Sequence, residues 1–345
     1  MAVSSFQNVS RILIRSTNWI GDAVMTTPAM GAVRAAFPDA SITVAAPPAV
    51  AELFRPHPHC DRVMVFDKKR GHRGMRGLWR FARQLGREGF DLAVLFQNAF
   101  EAAAMVFMAK IPVRLGYKTD GRGLLLTCGV DAGPGEKLLH HTDYYLSLLE
   151  RAGIRGGSGR PRLECTEVER AYARRLLSAH RFWVGINPGA AYGSAKRWLP
   201  ERFAEVADSL AGRLGAGILI TGGPGEEDIG RDIESALRSP CLNLAGRTTV
   251  RQLMAIIERC GLFVTNDSGP MHVAAALGVP IVALFGSTDP TTTSPLGENV
   301  RIVRKPVHCA PCLKRSCPTD HACMEAITAA DVLEAAGSLS LRCAP

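Results

Sequence analysis

Residues 264–290 read VTNDSGPMHVAAALGVPIVALFGSTDP and combine the elements of a ligand-binding sheet edge. The pattern predicts a buried strand at Leu262 to Thr265, a polar turn at Asn266 to Gly269 and a helix at Met271 to Leu277. A second buried strand, Pro280 to Phe285, follows the helix. In an open parallel sheet, ligands bind outside the carboxyl ends of strands, so we expect a ligand site at this turn.

The turn itself contains residue types that suit an anion. Asp267 and Ser268 can cap the helix, while Gly269 lets the backbone approach a ligand and leaves N–H groups for an anion. His272 follows Ser268 by about one helical turn, so we expect both side chains to face the same pocket. The alternative is that Asp267 is only a cap and His272 a core histidine. Two other glycine-bearing loops after predicted strands favour the ligand site.

Length and composition predict an ordinary two-domain protein with an anionic partner. The chain has 345 residues, 47% of them hydrophobic and 21% charged, and a formal net charge of +9. The charge alone does not choose among nucleic acid, phospholipid and a phosphorylated sugar. The short apolar runs predict neither a signal peptide nor a membrane span, and hence an intracellular protein.

The first half of the chain begins with a strand that leads to an acidic residue. Arg11 to Arg15 predicts a strand, and Gly21 and Asp22 follow it at the start of a helix that runs to Phe37. Asp22 either stabilises the start of the helix through its negative charge or acts as a general base above the sheet. Further strands are predicted at three places, Ser41 to Ala45, Arg62 to Phe66 and Asp91 to Phe96.

A basic amphipathic helix is predicted within residues 68–87. Leu78, Phe81 and Leu85 form an apolar stripe on one face. The arginines at alternating steps of three and four form a second stripe, which is either a solvated face or a contact for anionic lipid headgroups or a phosphorylated acceptor. The members of this stripe are Arg73, Arg76, Arg80, Arg83 and Arg87.

The second half repeats the α/β alternation after a glycine- and proline-rich linker at residues 154–162. We therefore predict an amino-terminal domain at residues 1–160 and a carboxyl-terminal domain at residues 161–345. Besides the two strands named first, this half is expected to contain strands at Trp183 to Asn187, Ile218 to Thr221 and Cys241 to Leu244.

Two loops of the second half carry residues suited to a phosphate-containing ligand. Residues 188–198, PGAAYGSAKRW, contain Gly189 and Lys196, and lysine is a compact point charge for a phosphate. Residues 222–227, GGPGEE, follow Thr221 and end near Glu226 at a helix start. This second loop lacks the Lys-Ser/Thr of ATPases and the full dinucleotide fingerprint, which argues against both of those functions.

A cysteine-rich segment at residues 308–324, HCAPCLKRSCPTDHACM, has no single interpretation. Its leading pair has the spacing of zinc ligands, but five residues separate the second pair. A structural metal, a disulfide or redox pair and packing thiols all stay open, and no catalytic metal is expected. The cysteines concerned are Cys309, Cys312, Cys317 and Cys323.

Three motifs together resemble the ADP-heptose:lipopolysaccharide heptosyltransferases, in particular the heptosyltransferase II branch. They are NWIGDAVMTTPAM at residues 18–30, NPGAAYGSAKRWLPERFAEVA at residues 187–207 and the stretch TNDSGPMHVAAALGVPIVALFGSTDP at residues 265–290. The resemblance implies an α/β fold of the glycosyltransferase-B class, in which two Rossmann-like domains face a central cleft. It also implies an inverting transfer of heptose from ADP-L-glycero-D-manno-heptose to the first heptose of the lipopolysaccharide inner core, without a metal or another cofactor.

The resemblance also implies roles for individual residues. Asp22 would be the general base toward the acceptor hydroxyl, and Lys196 would stabilise the diphosphate leaving group. The anionic Kdo-lipid A core acceptor is embedded in a membrane, so the arginine stripe could contact it or the inner face of the inner membrane, where the protein would be peripheral. The donor-binding residues would be Gly189, Thr221, Glu226, Asp267, Ser268, Gly269 and His272.

Two other functions fit parts of the sequence. The same fold could serve heptosyltransferase I, another nucleotide-sugar transferase or an epimerase. A basic nucleic-acid-binding protein is the alternative outside enzymes. Aromatic residues are only 6% of the chain and the cysteines lack a finger pattern, so we expect no nucleic-acid partner.

Overall fold

The computed structural model describes Phe6 and residues 8–157 and 159–341. The chain divides into two compact units, Met1–Leu163 and Glu164–Pro345. Each contains one six-stranded sheet whose paired strands are all parallel, with helices in the connections. The α/β class predicted from the sequence is therefore confirmed.

The first unit has the strand order β3-β2-β1-β4-β5-β6. Its strands are β1 Arg11–Arg15, β2 Ser41–Ala46, β3 Arg62–Val65, β4 Leu92–Leu95, β5 Val113–Tyr117 and β6 Cys128–Val130. Its helices are α1 Ile20–Met25, α2 Thr27–Ala36, α3 Pro48–Leu53, α4 Gly74–Arg87, α5 Phe100–Met108 and α6 His141–Arg151. Strand order reverses beside β1, which is where a doubly wound sheet holds its ligand.

The single helix predicted from Asp22 to Phe37 is wrong, because the chain forms two helices there. Pro28 has no N–H group, so it cannot donate the helical hydrogen bond to the Val24 carbonyl. The hydroxyl of Thr27 donates instead to the Val24 carbonyl at 2.8 Å, and that of Thr26 donates to the Ala23 carbonyl at 2.7 Å. Asp22 consequently lies in the first turn of the short helix α1, directly after β1.

The basic helix predicted near residues 68–87 is α4, and its two stripes are confirmed. Leu78, Phe81 and Leu85 are buried against the first sheet's core, as the 3.6-residue period requires. The arginines of the other stripe are exposed to solvent at all five positions, Arg73, Arg76, Arg80, Arg83 and Arg87.

The second unit repeats this topology with the strand order β12-β11-β10-β7-β8-β9. Its strands are β7 Trp183–Asn187, β8 Gly217–Ile220, β9 Cys241–Asn243, β10 Leu262–Asn266, β11 Ile281–Leu284 and β12 Val300–Val303. Its helices are α7 Glu167–Leu176, α8 Pro200–Leu214, α9 Glu227–Ala236, α10 Val250–Glu258, α11 Gly269–Ala276, α12 Pro290–Thr293, α13 Ala322–Glu325 and α14 Ala329–Gly337.

The central strands β7 and β10 are buried along their whole length, so the order reverses inside a well-packed core. In the part of the chain that the structure describes, no helix combines the length and the apolar character needed to cross a membrane.

Candidate active site

Four loops of the second unit meet at the carboxyl edge of its sheet. They follow β8, β7, β10 and β11, which are consecutive neighbours in the sheet. The three stretches singled out in this half of the sequence are therefore brought to one place. Because parallel strands end at the same edge, the loop residues lie close together despite separations of 70 residues and more along the chain.

An ion pair between Lys196 and Asp267 lies at the centre of these loops. Lys196 Nζ is 2.5 Å from Asp267 Oδ2, and the hydroxyl of Thr288 donates to the same oxygen at 2.6 Å. Only 14% of the lysine side chain and 5% of the aspartate side chain are exposed. Since an ammonium has three N–H donors, Lys196 is fixed in place and still has capacity for a ligand.

The prediction that Asp267 and Ser268 cap helix α11 is wrong. Ser268 is the N-cap residue, but its side chain makes no capping hydrogen bond. Its hydroxyl accepts instead from Asn187 Nδ2 at 3.0 Å, and the Asp267 carboxylate faces Lys196. A lysine more than seventy residues away in the sequence thus competes successfully for the carboxylate, because a charged donor binds it more strongly than a backbone N–H.

Asn187 is a site residue that sequence reasoning did not single out. Its Nδ2 atom donates to Thr265 Oγ1 at 3.1 Å as well as to Ser268. Its Oδ1 atom accepts from the hydroxyl of Thr221 at 3.3 Å. One buried amide therefore links the ends of β7, β8 and β10. The sequence feature that could have identified Asn187 is a polar residue at the end of a buried strand.

Asn266 fixes the loop that carries Lys196. Its Oδ1 atom accepts from the backbone N–H of Trp198 at 3.2 Å, and its Nδ2 atom donates to the Pro188 carbonyl at 2.7 Å. These two contacts hold both ends of the loop at residues 188–198. Asn266 is fully buried, so its amide is hydrogen-bonded without competition from water.

Gly189 and Glu226 are brought together at the edge of the same site. A Cβ atom at position 189 would overlap the Glu226 carboxylate, so this close approach requires glycine. Glu226 accepts from the N–H of Gly223 at 2.7 Å, and Arg197 Nη2 lies 3.9 Å from its other oxygen. The glutamate therefore presents an oriented acceptor beside the loop of Lys196.

Helix α11 carries the remaining predicted residues of this unit. It begins at Gly269, with Pro270 in its first turn, which is a sterically favourable position for proline. His272 is 4% exposed and lies one turn after Ser268. The helix start therefore adjoins the ion pair of Lys196 and Asp267.

The cysteine-rich segment packs against these loops. Its four cysteines line one cavity of about 110 Å³ together with Ala195 and His321. No disulfide joins any of the nine cysteines that the structure describes. Within the described ranges 8–157 and 159–341, no three histidine, cysteine or acidic side chains are arranged to hold a metal ion.

Asp22 belongs to the first unit, where it has a histidine neighbour. Its Oδ1 atom lies 3.3 Å from Nδ1 of His141, the first residue of α6. Both side chains are partly exposed, at 29% for Asp22 and 41% for His141. One turn further along α6, burial and to a smaller degree the Asp22 charge raise the pKa of Tyr145 well above its ordinary value of 10. Sequence reasoning did not single out His141, although it is the second of two adjacent histidines in the sequence.

The arginine stripe of α4 includes exposed aromatic and apolar side chains. Trp79 is 54% exposed, Met75 is 74% exposed, and the guanidinium carbon of Arg83 lies 5.5 Å from the centroid of the Trp79 ring. Arginine and tryptophan together suit a surface where charged headgroups meet an apolar layer.

The chain is similar in sequence to a family of glycosyltransferases. Residues 78–323 match the model of Glycosyltransferase family 9 (heptosyltransferase). The chain is 32% identical over 308 residues to lipopolysaccharide heptosyltransferase 2 of Escherichia coli strain K12. The aligned region covers 85% of this chain and 88% of that protein.

Two heptosyltransferases of E. coli are among the solved structures with a similar fold. The E. coli ADP-heptose LPS heptosyltransferase II has a TM-score of 0.82 and 29% identity, over 95% of this chain and 98% of that chain. The E. coli heptosyltransferase WaaC with ADP-2-deoxy-2-fluoro heptose has a TM-score of 0.69 and 19% identity, over 94% of this chain and 98% of that chain. The likeness confirms the glycosyltransferase-B class predicted from the sequence.

Proposed function

This chain belongs to glycosyltransferase family 9, the heptosyltransferases, and we propose that it transfers heptose from ADP-L-glycero-D-manno-heptose to the first heptose of the lipopolysaccharide inner core. The observation that carries the proposal is the buried pair of Lys196 and Asp267 at the reversal point of the second sheet. The donor binds to the unit Glu164–Pro345, and the acceptor binds to the unit Met1–Leu163.

The donor site supplies fixed charge for a diphosphate. Lys196 contacts the diphosphate and stabilises the negative charge that grows on it as ADP leaves. Asp267 and Thr288 hold the ammonium in position, so little reorganisation accompanies the reaction. Ser268, Gly269 and His272 complete the diphosphate and sugar contacts at the start of α11. Gly189, Thr221 and Glu226 lie toward the nucleoside, where the Glu226 carboxylate accepts from a ribose hydroxyl or the adenine amino group.

Asp22 supplies the general base. The acceptor hydroxyl oxygen bonds to the anomeric carbon of heptose while the bond from that carbon to the diphosphate oxygen breaks. Asp22 takes the hydroxyl proton, and ADP leaves with the bonding electron pair. Attack from the face opposite the leaving group inverts the anomeric configuration. The reaction as written needs no metal ion.

The arginine stripe of α4 serves the acceptor side. Arg73, Arg76, Arg80 and Arg83 attract the anionic headgroups of the inner membrane's cytoplasmic face, or phosphates of the Kdo-lipid A core. The protein is then peripheral, because its contact is through one helix face. Cosedimentation with phosphatidylglycerol vesicles tests this role, with phosphatidylcholine vesicles as control. Binding that is equal for the two lipids, or unchanged in Arg80→Gln/Arg83→Gln, would exclude it.

Calorimetric titration of the full chain with ADP, ADP-heptose, a UDP-sugar and NAD, in the presence of a chelator, tests the donor assignment. We expect binding of the two ADP ligands only. Preference for the UDP-sugar would leave the fold intact and remove heptose as the donor sugar. Transfer to a heptosylated Kdo-lipid A acceptor, followed by mass spectrometry, then tests the acceptor.

A further inference from the structure

The proposed chemistry makes no use of the cysteine-rich segment, residues 308–324, yet this segment holds the loop of Lys196. The N–H of Ala195 donates to the Arg315 carbonyl at 3.0 Å, and the Ala195 carbonyl lies 2.9 Å from His321 Nε2. The hydroxyl of Tyr192 donates to the Leu313 carbonyl at 3.1 Å. Tyr192 is thus bound to the segment by its side chain, and Ala195 by its backbone.

Gly193 allows the backbone of Arg315 to approach the loop of Lys196 closely. A Cβ atom at residue 193 would overlap the carbonyl group of Arg315, which is backbone and has no other rotamer to adopt. The Leu313 N–H also donates to the Ser287 carbonyl at 2.8 Å, next to Thr288 of the ion-pair cluster. The segment therefore lies against two loops of the donor site at once.

Tyr192 connects Arg315 to the catalytic lysine. Lys196 Nζ lies 5.0 Å from the centroid of the Tyr192 ring, and the guanidinium carbon of Arg315 lies 5.1 Å from the same centroid. Both distances are within the range of cation–π contacts. One aromatic ring thus holds two cations at the site, and one of them comes from outside the loop.

The charges around this ring are unequally compensated. Lys196 is paired with Asp267 at 2.5 Å, and Arg197 lies 3.9 Å from Glu226. Arg315 is exposed, and among the residues that the structure describes it has no acidic partner. A diphosphate brings at least two negative charges, so a lysine already neutralised by aspartate does not balance it. The uncompensated charge of Arg315 offsets part of this excess negative charge.

We propose that Arg315 is a second donor-binding cation, whose guanidinium contacts the diphosphate of the nucleotide sugar beside Lys196. This inference rests on the proposed donor site and extends it to a residue of the cysteine-rich segment. Arginine suits the role because its planar fork binds two phosphate oxygens at once. The segment then contributes to donor affinity through one side chain, whatever the state of its thiols.

Calorimetry with the full chain and its Arg315→Gln variant tests the proposal, with ADP, AMP and adenosine as probes. Loss of a charge-assisted contact to phosphate predicts a dissociation constant for ADP that rises about tenfold or more. Adenosine binding is expected to stay unchanged, and Arg315→Lys to retain part of the ADP affinity. Lys314→Gln is the matched control, since it removes the same charge one residue away and leaves the Tyr192 contact intact.

The outcomes separate this inference from the donor assignment. Unchanged ADP affinity in Arg315→Gln would overturn the role of Arg315, and so would an equal loss in Lys314→Gln, which would indicate a general effect of charge. Failure of the wild-type chain to bind ADP would overturn the donor site itself and the inference with it. Thermal melts establish that each variant is folded before titration.

Discussion

Lys196 Nζ and Asp267 Oδ2 lie 2.5 Å apart where both side chains are largely withdrawn from solvent. Removal of one partner leaves an uncompensated buried charge, which typically costs about 3 kcal/mol or more. We therefore expect Lys196→Met to lower the free energy of unfolding of the second unit by about 3 kcal/mol, as measured by chemical denaturation. Weaker ADP-heptose binding should accompany this loss.

The double variant Lys196→Met/Asp267→Asn measures how much the interaction between the two side chains contributes to stability. Because it removes both charges, we expect it to lose less stability than the two single variants together. Strictly additive losses would show that the ion pair contributes nothing to folding.

Substitution of Asp22 separates chemistry from donor binding. We expect Asp22→Asn to lower kcat by about 10²- to 10⁴-fold, because the amide cannot take a proton, while ADP-heptose binding stays at the wild-type level. Asp39→Asn is a suitable control, since Asp39 is an exposed acid of the same unit. A near wild-type rate in Asp22→Asn would assign the base to another group.

Two thiols of the cysteine-rich segment should react at different rates. A hydrogen bond with Thr319 lowers the pKa of Cys317, whereas burial first and the neighbouring cysteines second raise the pKa of Cys323. The thiolate is the nucleophile, so Cys317 should be alkylated by iodoacetamide before Cys323 in the native protein. Peptide mass spectrometry over a time course measures both rates. Equal rates would contradict the stated difference in environment.

The stability that Asp331 contributes should depend on pH in a known direction. Hydrogen bonds from Lys305 and then from Thr328 lower the pKa of this carboxyl from its ordinary value of 3.8 to about 2. The folded-state pKa is depressed, so the stabilisation is present above the unfolded value and is lost as pH falls through the folded value. We expect Asp331→Asn to be less stable than wild type near neutral pH. The difference should shrink as the pH of denaturation is lowered from 3.8 to about 2, and it should vanish below that range.

The position of the candidate site could be predicted from the sequence, but its internal contacts could not. Apolar runs followed by polar turns located the loops, since carboxyl ends of parallel strands meet at one edge. The partners of Asn187 depend on the register of β7 and β10, which aligns Asn187 with Thr265. No local pattern specifies that register. The capping assignment of Asp267 was wrong for a similar reason, because its partner Lys196 is distant in the sequence.

The sequence pattern did not predict β5, β6 and β12. Each of these strands lies at or next to a sheet edge and is incompletely buried, so its apolar signal is weaker. In β12, for example, Arg301 and Ile302 are both exposed. An edge position alone does not hide a strand, because the edge strands β3 and β9 were predicted. The central strands, which position the site, were all identified.

Asn266 holds the loop of Lys196 at Pro188 and at Trp198, and it lies 78 and 68 residues later in the chain. A ribosome therefore completes this loop long before it makes the residue that shapes it. Until β10 pairs with β7, Lys196 lacks both its anchor and its carboxylate partner. In a nascent chain the loop of Lys196 therefore gains these contacts only after β10 has been synthesised and has paired with β7.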